Sequence, residues 1–124
     1  MYRLEEAQRI QDVLTAFKEY TEDSFLFDII YSAKVGYLWL DIMPNSPECY
    51  QLRSAEELIQ FFILDIYRSW VRQGLSEKRL KQGVRREFAR WTKELPADYE
   101  ILLELFLKAP YQENIRRTKR LVLR

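Results

Sequence analysis

The sequence predicts an α+β fold: an N-terminal helix, an antiparallel β-hairpin or three-stranded meander, and three C-terminal helices, one of them central and apolar. Apolar residues recur at helical spacing over residues 3–20, and two runs rich in aromatic and branched residues follow at 25–31 and 34–43. Helical periodicity then returns over residues 55–108, and the conformation of the basic tail stays open. With 124 residues and 48% hydrophobic content, the chain can bury one core. We therefore expect a single domain over residues 1–124.

The first helix is predicted over residues 3–20, where Leu4, Ile10, Val13 and Phe17 fall on one side and charged residues on the other. The segment TEDS follows as a turn signal. The sequence therefore begins with one amphipathic helix that leads into the strands.

The hairpin register follows from the turn Ser32-Ala33 if Ser32 lies opposite Val35. That register collects seven apolar side chains on one face: Phe25, Phe27, Ile29, Tyr31, Leu38, Leu40 and Ile42. The other face then carries Tyr37 and Trp39 together with Asp28 and Asp41. After a loop from Pro44 to Pro47, residues 48–52 return as a third strand.

A helix over residues 55–73 is apolar around most of its circumference, which predicts the centre of the core. Ser54 and Glu57 form a capping box in front of it, and Gly74 ends it. Ser76 is the expected N-cap of a helix that runs to residue 95, within which Gly83 weakens the helical propensity. A short apolar helix is expected from Ala97 to Lys108.

Charge is distributed unevenly although the whole chain carries a net charge of only +1. Residues 1–70 hold 6 Lys/Arg and 12 Asp/Glu, a net charge of −6, whereas residues 71–124 hold 14 and 7, a net charge of +7. The two halves either face each other inside a compact domain or leave a basic surface for an anionic partner. The sequence leaves both interpretations open.

The predicted helix over residues 76–95 separates its charges by face. Leu80, Val84, Phe88, Trp91 and Leu95 fall in one arc of the helical wheel at about 100° per residue. The opposite arc carries six cations and no acid: Lys78, Arg79, Arg85, Arg86, Arg90 and Lys93. A solvated face usually mixes signs, so this pattern suits contact with phosphates. The alternative is a solvated face, or one paired with the acidic N-terminal half. The basic tail adds Arg116, Arg117, Lys119 and Arg120 to the possible nucleic-acid contacts.

The residue types needed for most catalysis are missing from this sequence. It contains no histidine, one cysteine and three glycines, which excludes histidine-dependent nucleophiles, an intrachain disulfide and a phosphate-cradling glycine loop. We therefore expect no enzyme, no cofactor and no metal. The one alternative is a metal-dependent enzyme that uses Asp28 and Asp41, which the predicted register makes diagonal neighbours.

The leading functional hypothesis is a small cytoplasmic regulatory protein that binds a protein partner, or a second copy of itself, through Tyr37 and Trp39. The alternative is a nucleic-acid-binding protein that uses the basic helix and the basic tail. No stretch is long and apolar enough to predict a membrane span, and the lone Cys49 is compatible with a reducing compartment.

Overall fold

The computed structural model describes residues 2–42 and 48–109, and these residues adopt the predicted α+β fold. The helices are α1 (Leu4–Ala16), α2 (Lys18–Glu22), α3 (Ala55–Val71), α4 (Glu77–Trp91) and α5 (Asp98–Lys108). The strands are β1 (Phe27–Ser32), β2 (Gly36–Asp41) and β3 (Glu48–Gln51), in the antiparallel order β1-β2-β3. The third strand, an open alternative in the sequence, is thus confirmed.

The first predicted helix is interrupted at Phe17, which separates α1 from α2. Phe17 is fully buried, and its ring stacks on Phe62 of α3 with the centroids 4.1 Å apart. The break therefore lies where an aromatic side chain enters the core.

The helix α3 lies at the centre of the core, as its apolar circumference predicts. It contacts α1, α4 and α5, and its Phe61 and Phe62 pack against Trp39 of the sheet. The predicted cap is also present, since the Ser54 side chain accepts a hydrogen bond from the Glu57 N–H at 3.1 Å. The Glu57 side chain in turn accepts a hydrogen bond from the N–H of Arg53. A regular capping box would use the N–H of the N-cap residue, Ser54, which follows Arg53.

The predicted hairpin register is wrong by one residue, because Ser32 pairs with Gly36 and not with Val35. Gly36 has a φ of 87°, a backbone conformation that is strained for any residue with a side chain. It ends a three-residue turn. Any Cβ at this position would lie 2.6 Å from the ring of Tyr2. The Tyr2 hydroxyl donates to the carbonyl of Leu52 and accepts from the Tyr37 N–H, so it holds β2 and the residue after β3 together.

The one-residue shift exchanges the inner and outer faces of β2 relative to the prediction. Its Tyr37, Trp39 and Asp41 lie on the inner face together with Phe27 and Ile29 of β1, whereas Leu38 and Leu40 lie on the outer face. Phe25, Tyr31 and Ile42, which were predicted to share the apolar face of the hairpin, are exposed. Trp39 turns inward because its ring stacks on Phe27, with the centroids 4.0 Å apart.

Gly83 has a packing role that its low helix propensity hides. A Cβ there would lie 2.6 Å from the ring of Trp70 on α3. The glycine therefore permits the close approach of α3 and α4, and this contact orients the exposed side of α4.

Two predictions concern residues outside the described ranges: the loop from Pro44 to Pro47 and the tail with Arg116, Arg117, Lys119 and Arg120. Over the described residues, no helix combines the length and the apolar character that a membrane span requires.

Candidate functional site

The cations of α4 form an exposed surface, which we call the basic face. Leu80, Val84 and Phe88 are buried on the core side of the helix, which packs against α3. All six cations predicted for the opposite side are exposed: Lys78, Arg79, Arg85, Arg86, Arg90 and, just beyond the helix, Lys93. The N-cap is Ser76, whose side chain accepts from the Arg79 N–H at 3.4 Å. The amphipathic pattern thus predicted this surface correctly.

In the described part of the chain, most cations of the basic face have no acidic partner. Arg85 is the exception, because its Nε and Nη2 atoms donate to Glu104 of α5 at 2.9 and 3.1 Å, which raises the pKa of Arg85. Within residues 2–42 and 48–109, Lys78, Arg79, Arg86, Arg90 and Lys93 form no ion pair. Pairing between this face and the acidic half is therefore not found in the described part of the chain.

This arrangement carries a local cost in helix stability. Arg86 and Arg90 lie four residues apart on one exposed face, where like charges repel by a few tenths of a kcal/mol, about 0.2–0.5. Lys78 and Arg79 lie in the first turn, where positive charge opposes the helix dipole. A helix whose only requirement was solubility would gain stability from mixed signs, so the arrangement favours a role in contact with anions.

A cleft of about 600 Å³ opens between α2, the following segment, α3 and α4. It combines three aromatic rings, four carboxylates and two guanidinium groups. Its lining residues are Tyr20, Phe25, Trp91, Glu19, Asp23, Asp65, Glu87, Arg72, Arg90, Ser24, Leu26 and Ser69. Arg90 belongs to both the cleft and the basic face, with its guanidinium carbon 4.7 Å from the centre of the Trp91 ring.

A buried charged cluster borders the cleft, since its Tyr20 and Asp65 also line the cleft. Arg68 forms an ion pair with Asp65, and Tyr20 donates to the other Asp65 oxygen at 2.6 Å. Asp41 accepts from the Trp39 indole N–H at 3.1 Å, while its second oxygen has no hydrogen-bond partner among the described residues. Burial raises the pKa of Asp41, and the positive charge of Arg68 opposes this effect. The cluster thus holds two carboxylates and one guanidinium in the core.

Sequence reasoning missed this cluster. The available signal is Asp65 and Arg68 at positions i and i+3 of an otherwise apolar helix, a spacing that places the two side chains on one face. Charges inside a buried helix predict a buried pair, since an isolated one is costly. The contribution of Asp41 had no such signal, because it depends on the register of β2.

Tyr37 and Trp39 do not form an open partner-binding face. The prediction for Trp39 is wrong, because its side chain is fully buried. Tyr37 is half-buried, lies on the same inner face, and its hydroxyl accepts a hydrogen bond from Gln11. Both aromatic side chains contribute to the internal packing of the sheet, and Trp39 has no exposed surface for a partner.

The predicted pair of Asp28 and Asp41 is not formed. Asp28 lies opposite Leu40 on the outer face, whereas Asp41 lies opposite Phe27 on the inner face. Among the described residues, no three or more His, Cys, Asp or Glu side chains form a group that could hold a metal ion. The geometry on which the metal-dependent alternative rests is therefore wrong.

Comparisons with known proteins found no matching family model, no matching curated protein and no matching solved structure.

Proposed function

We propose that this protein is a non-catalytic, cytoplasmic binding protein that docks the basic face of α4 on a nucleic acid. The observation that carries the proposal is a row of exposed cations on one rigid helix, without an acidic partner for Lys78, Arg79, Arg86 or Arg90 in the described residues. Cations held in place by a packed helix displace condensed counterions from phosphates together.

The dimensions of the face suit a phosphate backbone. Arg79 and Arg90 are separated by about 16 Å along the helix axis, at a rise of about 1.5 Å per residue. A strand of duplex DNA offers one phosphate for about every 3.4 Å of axis. Several phosphates therefore lie within reach of the face at once, and flexible cationic side chains can adjust to them.

The proposal is tested by fluorescence anisotropy of labelled single-stranded and duplex oligonucleotides over a range of salt concentrations. The wild type should bind, and the logarithm of its affinity should fall linearly with the logarithm of the salt concentration. The double variant Arg79→Gln/Arg86→Gln should bind more weakly at low salt, with a slope smaller by about 2, because each lost phosphate contact removes about one unit.

A matched control is the double variant Arg3→Gln/Lys34→Gln, which loses the same charge from exposed positions outside α4. It should keep the wild-type slope. Equal losses in both double variants would show that only net charge matters, and absence of binding at low salt would contradict the proposal.

Self-association is a second proposal, in place of the earlier hypothesis on Tyr37 and Trp39. It is supported by the outer face of the sheet, where Ile30 is exposed and Leu38 and Leu40 are half-buried in the described part of the chain. An uncovered apolar sheet face is typical of contact surfaces. Sedimentation at increasing protein concentration should show a dimer that Ile30→Glu abolishes, whereas a monomer at every concentration would contradict it.

A further inference from the structure

The cleft beside α4 continues the basic face. Arg90 is exposed on that face and also lines the cleft, with its guanidinium group above the ring of Trp91. Arg72 is a second cation of the cleft lining. A ligand whose anionic groups follow α4 therefore meets the cleft at the C-terminal end of the helix.

The cleft offers surfaces on which flat rings can stack. Phe25 lines the cleft, yet 91% of its surface is exposed, so its ring is not needed to complete the core. The guanidinium of Arg90, supported by Trp91, is a second flat surface. Proteins that bind single-stranded nucleic acids combine a cationic track with aromatic rings or arginine planes that stack on bases.

The carboxylates of the cleft determine which part of such a ligand can enter. Glu19, Asp23 and Glu87 repel phosphates, so the backbone stays outside on the cations of α4. The same carboxylates can accept hydrogen bonds from the amino groups of bases, as acidic side chains do with cytosine. A base fits this chemistry, and a phosphate does not.

We infer that the cleft takes one unstacked base of a single-stranded nucleic acid whose phosphates lie along the basic face. This inference rests on the proposed function and deepens it, because it selects single strands over duplexes. In a duplex the bases are paired and stacked, so none can enter the cleft without separation of the strands.

The test compares Phe25→Ala with Leu4→Ala, a control that truncates a side chain of the same 91% exposure on α1. Three labelled probes of equal length are used: a single strand rich in cytosine, the same backbone without bases, and the duplex. Phe25→Ala should weaken binding of the single strand by about 5- to 150-fold, the usual effect of losing one base–aromatic stack. It should leave the salt slope and the binding of the other two probes unchanged, and Leu4→Ala should behave as the wild type.

The results distinguish failure of this inference from failure of the proposed nucleic-acid binding by α4. If Phe25→Ala binds the single strand as the wild type does while Arg79→Gln/Arg86→Gln loses binding, the inference is overturned and the proposed function stands. If no probe binds the wild type at low salt, both are overturned. If only a labelled oligoarginine peptide binds, and Phe25→Ala abolishes that binding, the cleft takes a basic protein segment and the inference is likewise overturned.

Discussion

The buried charged cluster and the basic face of α4 differ in whether their charged side chains have partners within the described residues. In the core, Arg68 pairs with Asp65, Tyr20 donates to Asp65, and Trp39 donates to Asp41. On α4, Arg79 and Arg86 have no acidic partner in the described residues. A charge removed from water needs a partner from the fold, whereas water solvates an exposed one. Unpaired charges on a surface are therefore the ones available to a ligand.

The largest effect is expected from Arg68→Met, which keeps the length of the side chain but removes its charge. Two carboxylates would remain in the core without a cation, and breaking a buried pair in this way costs about 3–5 kcal/mol. The free energy of unfolding, measured by urea titration followed by circular dichroism, should fall by that amount.

The double variant Asp65→Asn/Arg68→Met sharpens this comparison. Since it removes both charges of the pair, its loss should be clearly smaller than that of Arg68→Met alone. A loss below about 1 kcal/mol in the single variant would mean that the pair is weakly coupled to the fold, against the usual range for buried pairs.

Asp41→Asn should have a smaller effect of opposite sign. With Asp41, Asp65 and Arg68 all ionised the cluster carries one excess negative charge, and Glu48 on β3 also disfavours the charge on Asp41. Asparagine keeps an acceptor for the Trp39 indole without the buried charge. We expect a gain in the free energy of unfolding on the order of 1 kcal/mol at neutral pH.

The gain in stability expected from Asp41→Asn should depend on pH. Burial raises the pKa of Asp41, so the folded protein holds this proton more tightly than the unfolded chain does. The contribution of Asp41 is thus most favourable below its unfolded pKa and is lost as the pH rises through its folded pKa. The advantage of Asp41→Asn should grow over that interval and stay constant above it, and a difference independent of pH would contradict this explanation.

The smallest effect on stability is expected from Arg86→Gln. Arg86 is exposed and repels Arg90 one turn away, so the free energy of unfolding should stay within about 0.5 kcal/mol of the wild type. The measurement is thermal unfolding at low and high salt. Added salt should stabilise the wild type slightly more than Arg86→Gln, because screening relieves the repulsion between Arg86 and Arg90. A loss above about 1 kcal/mol would mean that Arg86 has an internal role.

The elements with local signals were predictable from the sequence. The apolar circumference of α3, the cap at Ser54 and the separation of charge around α4 depend on residues within a few turns of one another. For the same reason, the candidate site on α4 was recognisable by position before its surroundings were known. Helical periodicity and capping require no information about distant residues, because they follow from hydrogen bonds and side-chain directions inside one helix.

Only the tertiary structure decided which face of β2 is buried, and with it the fates of Trp39 and Asp41. The register depends on the turn that Gly36 ends, which is local, but also on two contacts between distant residues, that of Tyr2 with β2 and the stack of Trp39 on Phe27. A shift of one residue exchanges the two faces of a strand. Among the described residues, only the tertiary placement likewise showed that Lys78, Arg79, Arg86 and Arg90 form no ion pair and that a cleft lies at the end of α4. The sequence therefore determined the helices and their faces, and packing between distant segments determined the sheet and the surroundings of the site.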